Sequence, residues 1–222
     1  SVAGTPADKD FSGRRIAADK LRLLGVRLLS AAGMSHDDAA MVSEHVVGNS
    51  LMGVDSHGVV RFAQYMSLIE SGAIDPAGTP LVVIDEPTMI RIDGRGGHGV
   101  PAMVQLAECT AQKARTAGMA TGALVNCGHT GRIGAYAETI ARQGCFAVII
   151  GGGGHTRGNP KVAPYGGREG IMGTNPYTLA LPGGPTGVVV VDFATSTSAQ
   201  GKLLAASKTG EPLPPGTILG RD

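Results

Sequence analysis

The chain has 222 residues, including 35 Gly, 13 Pro, 3 Cys and no Trp, with a formal net charge of +1. Gly and Pro together make about a fifth of it, below the low-complexity range, and the absence of a three-residue Gly period excludes collagen. With 42% hydrophobic residues the chain can build a core, as one compact unit or two small domains. Apolar stretches such as 145–150 fall far short of the roughly 20 residues that span a bilayer, so no membrane partner is expected. No basic segment leading into an apolar run opens the chain, so no secretory signal is read. The 19 basic residues never run longer than Arg14-Arg15 and aromatics are 4%, which argues against nucleic acid. Cys109, Cys127 and Cys145 are odd in number and lack CxxC spacing, so neither a disulfide framework nor a metal site is expected. As reduced thiols they point to the cytoplasm.

Residues 1–10 read as a frayed arm. Ile16, Leu21, Leu24 and Leu28 then step at helical spacing, with Gly33 as the stop. Ser35 to Asp38 resembles a capping box opening a helix to about Leu51. A third helix is expected over 59–70, stopped by Ser71-Gly72. After the turn-rich joint 76–80 the period changes: short strands at 81–84 and 89–92, a helix over 101–117, a strand at 123–125, a helix over 133–142 and a strand at 146–150. An irregular stretch reaches about Asn175. A strand at 188–193, buried by composition, and a helix at 199–207 complete the pattern.

Four clusters could carry chemistry. Gly94-Arg95-Gly96-Gly97-His98-Gly99 matches GxGxxG between a strand and a helix, as a dinucleotide fingerprint requires. The strand after that helix ends at Val125-Asn126 with no acid for a ribose, and a Gly-rich turn is the plainer alternative. The run from Asn126 to Tyr136 places His129 at a strand-to-helix turn, suited to general acid/base work or to loop packing. Asp55-Ser56-His57-Gly58 precedes Arg61 and Tyr65, which share a helix face. Adjacent Ser and His side chains are expected to diverge, so no hydrolase triad is read. Arg61 could fork a carboxylate, or pair at the surface with Glu70 or Asp55. Lastly, Gly173-Thr174-Asn175-Pro176 and the strand ending Asp192-Phe193-Ala194-Thr195-Ser196 form a place where ligands sit in α/β sheets, or a capped helix start at Ser196 or Ser198. Lys202 beyond it could contact a ligand or be solvated.

Together these segments resemble the malate/L-lactate dehydrogenase type II family of NAD(P)-dependent 2-oxoacid oxidoreductases. The resemblance rests on Asp55-Ser56-His57-Gly58 with Arg61, Ile92-Asp93-Gly94, Asn126 to Gly134, Val162 to Gly167, Gly173 to Pro176, and Asp192 to Ser196 through Gly201-Lys202, in family order. It implies an α/β fold: an N-terminal helical region, 1–78, contacting substrate and forming a homodimer, and an NAD(P)-binding α/β/α domain, 79–222. The domain's mixed sheet is of the non-Rossmann, sulfolactate-dehydrogenase-like type, which demotes Gly94 to Gly99. His129 then looks like the proton donor, as an imidazolium, with Ser56, His57 and Lys202 as further catalytic positions. Lys202 stands where imino-acid reductases place an Asp, which favours a 2-oxoacid and weakens a direct role for His57. Arg61, Tyr65 and Thr174 look like substrate contacts. Thr130, Gly131, Arg132, Ile133, Gly134, Asp192, Phe193, Ala194, Gln200 and Gly201 look like contacts to NAD or NADP. Family chains exceed 300 residues, so a C-terminal third is expected to be lacking, with apolar surface exposed near 188–193. A catalytically silent, truncated paralogue acting as a binding module is the alternative.

Overall fold

Helical spacing in the first 75 residues yields three helices: α1 (Ala18–Ala31), α2 (His36–Leu51) and α3 (Arg61–Glu70), with a 3-10 turn at Asp55–His57. The computed structural model describes residues 15–152, 162–198 and the isolated positions 206, 210, 212, 213, 216 and 217. Ser35 caps α2 as its spacing predicts, accepting the Asp38 N–H at 3.1 Å, a bond worth about 1 kcal/mol to a helix start. On α1 the buried stripe differs from the expected one. Leu29 is fully buried while Leu24 and Ile16 stay exposed. The stripe instead follows Leu21, Gly25 and Leu29, because Gly25 leaves room for Phe62 and Ser43. Leu29, Met34, Val42, Val46, Val47, Phe62 and Tyr65 form one core, and Val100 from the next helix completes it. The helical region is thereby fused to the body.

In the body, β1 (Leu81–Glu86) and β2 (Met89–Asp93) form an antiparallel hairpin, α4 (Gly99–Ala117) crosses over, and β3 (Thr121–Val125) returns parallel to β2. Next come α5 (Ile133–Arg142), β4 (Ala147–Ile150), β5 (Pro176–Leu181) and β6 (Val189–Ala194). These last three strands make a second sheet, antiparallel throughout, in the order β4-β5-β6. Mixed pairing is thus confined to the first sheet, and neither sheet is a doubly wound parallel one. Ala137 and Ala141 of α5 lie on Ala147 and Ala180 of the second sheet; small side chains on both sides let helix and sheet approach closely.

Two expectations are corrected here. The sequence shows no strand between 175 and 188, yet β5 is central, its Pro176 tolerated as a first residue. And β6 is not buried: Val189, Val191 and Phe193 are about half exposed. Strand alternation places them on one face with Val148, Ile150 and Leu181, away from α5. This is the apolar surface expected near 188–193. The helix read at 199–207 lies outside the described residues.

Candidate active site

Tyr65 and Arg61, one turn apart on α3, are 0% and 5% exposed. Buried polar groups need partners. Arg61 finds two of them locally: its Nε donates to the Ser56 carbonyl at 2.6 Å and its Nη1 donates to Gln64 Oε1. No acidic side chain forms an ion pair with it among the described residues, so pairing with Glu70 or Asp55 does not occur. Burial, an unfavourable setting for charge, pulls the guanidinium below its ordinary range.

The 3-10 turn carrying Ser56 and His57 is tied to α2, because Asn49 Nδ2 donates to the His57 carbonyl at 3.2 Å and Val59 N–H donates to Ser50 Oγ at 3.0 Å. The tight turn brings Ser56 Oγ within 3.1 Å of His57 Nδ1. The expectation that these neighbours diverge is therefore wrong: the 3-10 turn Asp55–His57 brings the two side chains together.

His129 follows β3. The Gly131 N–H, which can only donate, points at His129 Nδ1 at 3.2 Å, and Tyr65 Oη lies 3.0 Å from the same nitrogen. Nδ1 is therefore the acceptor of both bonds, and the neutral ring carries its proton on Nε2. The His57 ring stacks on that of His129 at 5.8 Å and 19°. Burial first, then the Arg61 and His57 charges, push His129 down to about 3. His57 falls to about 4, chiefly by burial and then by Arg61. Tyr65 rises to about 12 through burial. The free site thus holds neutral imidazoles around one buried cation, whereas the sequence reading has an imidazolium at His129.

The start of α5 forms the second half of the site. Arg132 N–H donates to His45 Nε2 at 3.0 Å, and the His45 ring stacks on Tyr136 at 5.2 Å and 13°. Tyr136 Oη donates to the Thr130 carbonyl at 2.6 Å. Arg132 Nε donates to Asn49 Oδ1 at 2.8 Å. Asp192 reaches across from β6, accepting the Gly134 N–H at 3.1 Å and the Thr178 hydroxyl on its other oxygen. The guanidinium of Arg132 lies 3.9 Å from that carboxylate. Histidine 45, Asn49 and Tyr136 were not assigned roles from sequence. The signal for the first two was their spacing of four, which puts them one turn apart on the same face of α2.

The remaining sequence-predicted positions scatter. Ile133 is buried in the core among Ile92, Met103 and Leu106, so only its backbone can meet a ligand. Phe193 faces away from Asp192, against Tyr177 at 5.9 Å. Ala194 sits opposite Pro176 at the strand end. Thr174 is tied through its carbonyl to Thr195. Gln200, Gly201 and Lys202 lie outside the described residues. In the segment 94–99 the backbone is already engaged: the Gly94, Gly96 and Gly97 N–H groups bond to the Val125, Asn126 and Gly94 carbonyls. His98 Nδ1 takes the Val100 N–H at the start of α4, and its ring meets Tyr65 edge-on at 4.3 Å. That GxGxxG match is a packed turn. Among the described residues there is no group of acidic, His or Cys side chains able to hold a metal, and no helix long and apolar enough to cross a membrane.

The malate dehydrogenase of Pyrococcus abyssi is 34% identical over 204 residues, covering 91% of this chain and 54% of that protein. The L-sulfolactate dehydrogenase of Methanocaldococcus jannaschii is 32% identical, covering 89% of this chain and 56% of its own length. The structure of malate dehydrogenase from Pyrococcus horikoshii superposes with a TM-score of 0.78 at 33% identity, over 86% of this chain and 53% of that one. The Δ1-piperideine-2-carboxylate reductase from Pseudomonas syringae gives 0.83 at 28% identity, over 91% and 59%. The chain spans a little over half the length of these relatives. The malate/L-lactate dehydrogenase family model matches residues 16–222, and the chain belongs to that family.

Proposed function

We propose that this chain carries the proton-transfer and carboxylate-binding half of an oxidoreductase acting on a small 2-oxo/2-hydroxy acid with NAD or NADP. The observation that carries this reading is Arg61: a buried guanidinium with no carboxylate partner among the described residues, whose charge is felt at His129, His57 and Tyr65. A planar fork in that setting suits the carboxylate of a bound acid. The relatives named malate, L-lactate and L-sulfolactate dehydrogenase act on acids of this class.

The residues fit a nicotinamide cofactor in part. The Gly131, Arg132 and Gly134 N–H groups are taken by His129, His45 and Asp192, so these three are not open to a phosphate. Asp192 uses two of about four acceptor sites and could take ribose hydroxyls with the rest. When bound, the cofactor supplies or removes the hydride at C2 of the acid.

The chain's own part is the proton. Burial is the main cause of the neutral His129 and the Arg61 charge the next; a carboxylate on Arg61 would offset the second, favouring protonation once substrate is bound. The Tyr65 hydroxyl donates to the neutral ring and can rotate to accept from Nδ1–H of the charged one, which at the same time gives up the Gly131 N–H. Nε2–H is then free to go to the substrate oxygen, and the ring left behind is neutral. Help of this kind is typically worth about 10²- to 10⁴-fold. The intact Arg61, Tyr65 and His129 constellation gives the silent-module reading no support.

The test is oxidation of NADH and NADPH against a panel of 2-oxoacids and cyclic imines, with calorimetry for binding of the acids. Turnover of 2-oxoacids, lost in His129→Gln, is expected. Absence of both turnover and binding for every 2-oxoacid in the panel would sink the proposal.

A further inference from the structure

Two side chains on α2 hold the His57 turn and the turn that follows His129. Asn49, 2% exposed, donates through Nδ2 to the His57 carbonyl and accepts Arg132 Nε on Oδ1, which satisfies both ends of a buried amide. His45, one turn earlier, accepts the Arg132 N–H on Nε2 and stacks on Tyr136, whose hydroxyl holds the Thr130 carbonyl. The peptide between these anchors contains Gly131, whose N–H sets the proton position on His129. Gly131 itself has φ of +73°, and a Cβ there would lie 2.2 Å from His45 Nε2. The turn therefore closes on His45 as on a template.

We infer that His45 and Asn49 are positioning residues: together they fix the His57 turn and the His129 turn at one spacing and hold His129 in its Nε2–H form. Neither needs to touch substrate. The inference rests on the reading of His129 as the proton donor only for its effect on turnover.

The experiment is nitrogen-proton correlation spectroscopy of the full chain with labelled histidine, beside amide hydrogen exchange. In the unsubstituted protein His129 should show a protonated Nε2 and a bare Nδ1, and the Arg132 amide should exchange slowly. His45→Phe keeps the ring stack but not the acceptor, and should drive His129 toward mixed tautomers. His45→Gln, which offers an amide oxygen, should restore the pattern, and Asn49→Leu should shift the His57 signals. A fast-exchanging Arg132 amide, or a His129 pattern unchanged in a folded His45→Phe, would overturn the inference. If His45→Phe does not fold, the exchange rate and the His45→Gln pattern decide. In turnover, His45→Phe should lower kcat about tenfold with the Michaelis constant for the acid nearly unmoved, since Arg61 hangs from Ser56 and Gln64. Signals that respond as stated in a chain that neither turns over nor binds any 2-oxoacid would uphold the positioning pair and remove the oxidoreductase reading.

Discussion

The Tyr65 hydroxyl meets His129 Nδ1 at 3.0 Å although 64 positions separate them in the chain. The contact joins the helical region to the loop after β3, and it makes the proton state of His129 depend on a residue of α3. Removing that hydroxyl leaves Nδ1 with the Gly131 N–H alone and a protonated ring with no acceptor there. Tyr65→Phe should lower kcat by about 10-fold or more, within the range for losing part of an acid/base pair, and cost about 1 kcal/mol of stability. Steady-state kinetics and urea unfolding check both. Wild-type turnover in this variant would remove Tyr65 from the proton path.

Arg61→Lys tests the carboxylate site. An ammonium can keep one bond to the Ser56 carbonyl but cannot offer a fork. The Michaelis constant for the acid should rise about tenfold or more, one lost charge-assisted hydrogen bond being worth about 1.5–3 kcal/mol. Equal affinity for the acid in the two proteins would place the carboxylate elsewhere.

The pH dependence of stability follows from the imidazoles. His45 and His57 are pushed down to about 4, His98 and His129 to about 3, in each case mainly by burial, from an ordinary value of 6.5. Below pH 6.5 the unfolded chain binds protons that the native state refuses, so stability falls as pH drops from 6.5 toward 4. Above about 7.5 the rings are neutral in both states and contribute no slope. Each ring can add up to about 1.4 kcal/mol per pH unit in that window. Urea midpoints at pH 7.5, 6.5 and 5.5 should decline in that order; a midpoint that rises on acidification contradicts the assignment.

Most helices were legible because their signals are local: the Ser35 cap and the apolar run of α5, whose bounds Ile133–Arg142 match the sequence reading. What stayed hidden depends on distant partners. The face of α1 was misjudged because a glycine, invisible to hydrophobic counting, is its contact point. Strand β5 opens with a proline, and its larger residues Tyr177, Leu179 and Leu181 alternate with Thr178 and Ala180, which are the buried ones. Individual site residues such as Arg61, Tyr65 and His129 could be picked out by type and spacing. Their convergence could not, since it is set by where α3 packs on the loop after β3, nor could the engagement of the backbone N–H groups of Arg132 and Gly134, which is set by α2 and β6.

The turn 94–99 offers a contrast between two neighbours. A Cβ on Gly97 would sit 2.1 Å from the Gly78 carbonyl oxygen, whereas Gly96, at φ +74°, has nothing within 4 Å. Gly96→Ala should therefore cost about 1 kcal/mol for the left-handed backbone alone. Gly97→Ala should cost well beyond that, because two backbone segments have to separate. If this turn were a phosphate cradle, both substitutions would weaken nicotinamide binding more than folding. Denaturation midpoints and cofactor titration on the two variants separate the cases.

The outer face of the second sheet supplies the last prediction. Val148, Ile150, Leu181, Val189, Val191 and Phe193 lie on it, each between 48% and 69% exposed. Contiguous apolar patches beyond a few hundred Å² are uncommon on monomers. The 222-residue chain should therefore bind a dye that reports apolar surface and associate as its concentration rises. Alternation separates this face from Asp192, which points to α5. Val191→Lys with Val148→Thr should therefore abolish dye binding and association while leaving the His129 signals and the Asp192 contact to Gly134 unchanged. Light scattering behind size exclusion, run beside dye fluorescence, measures both. A dye-silent monomer of the unsubstituted chain would mean that this face is covered in solution by the chain's own residues.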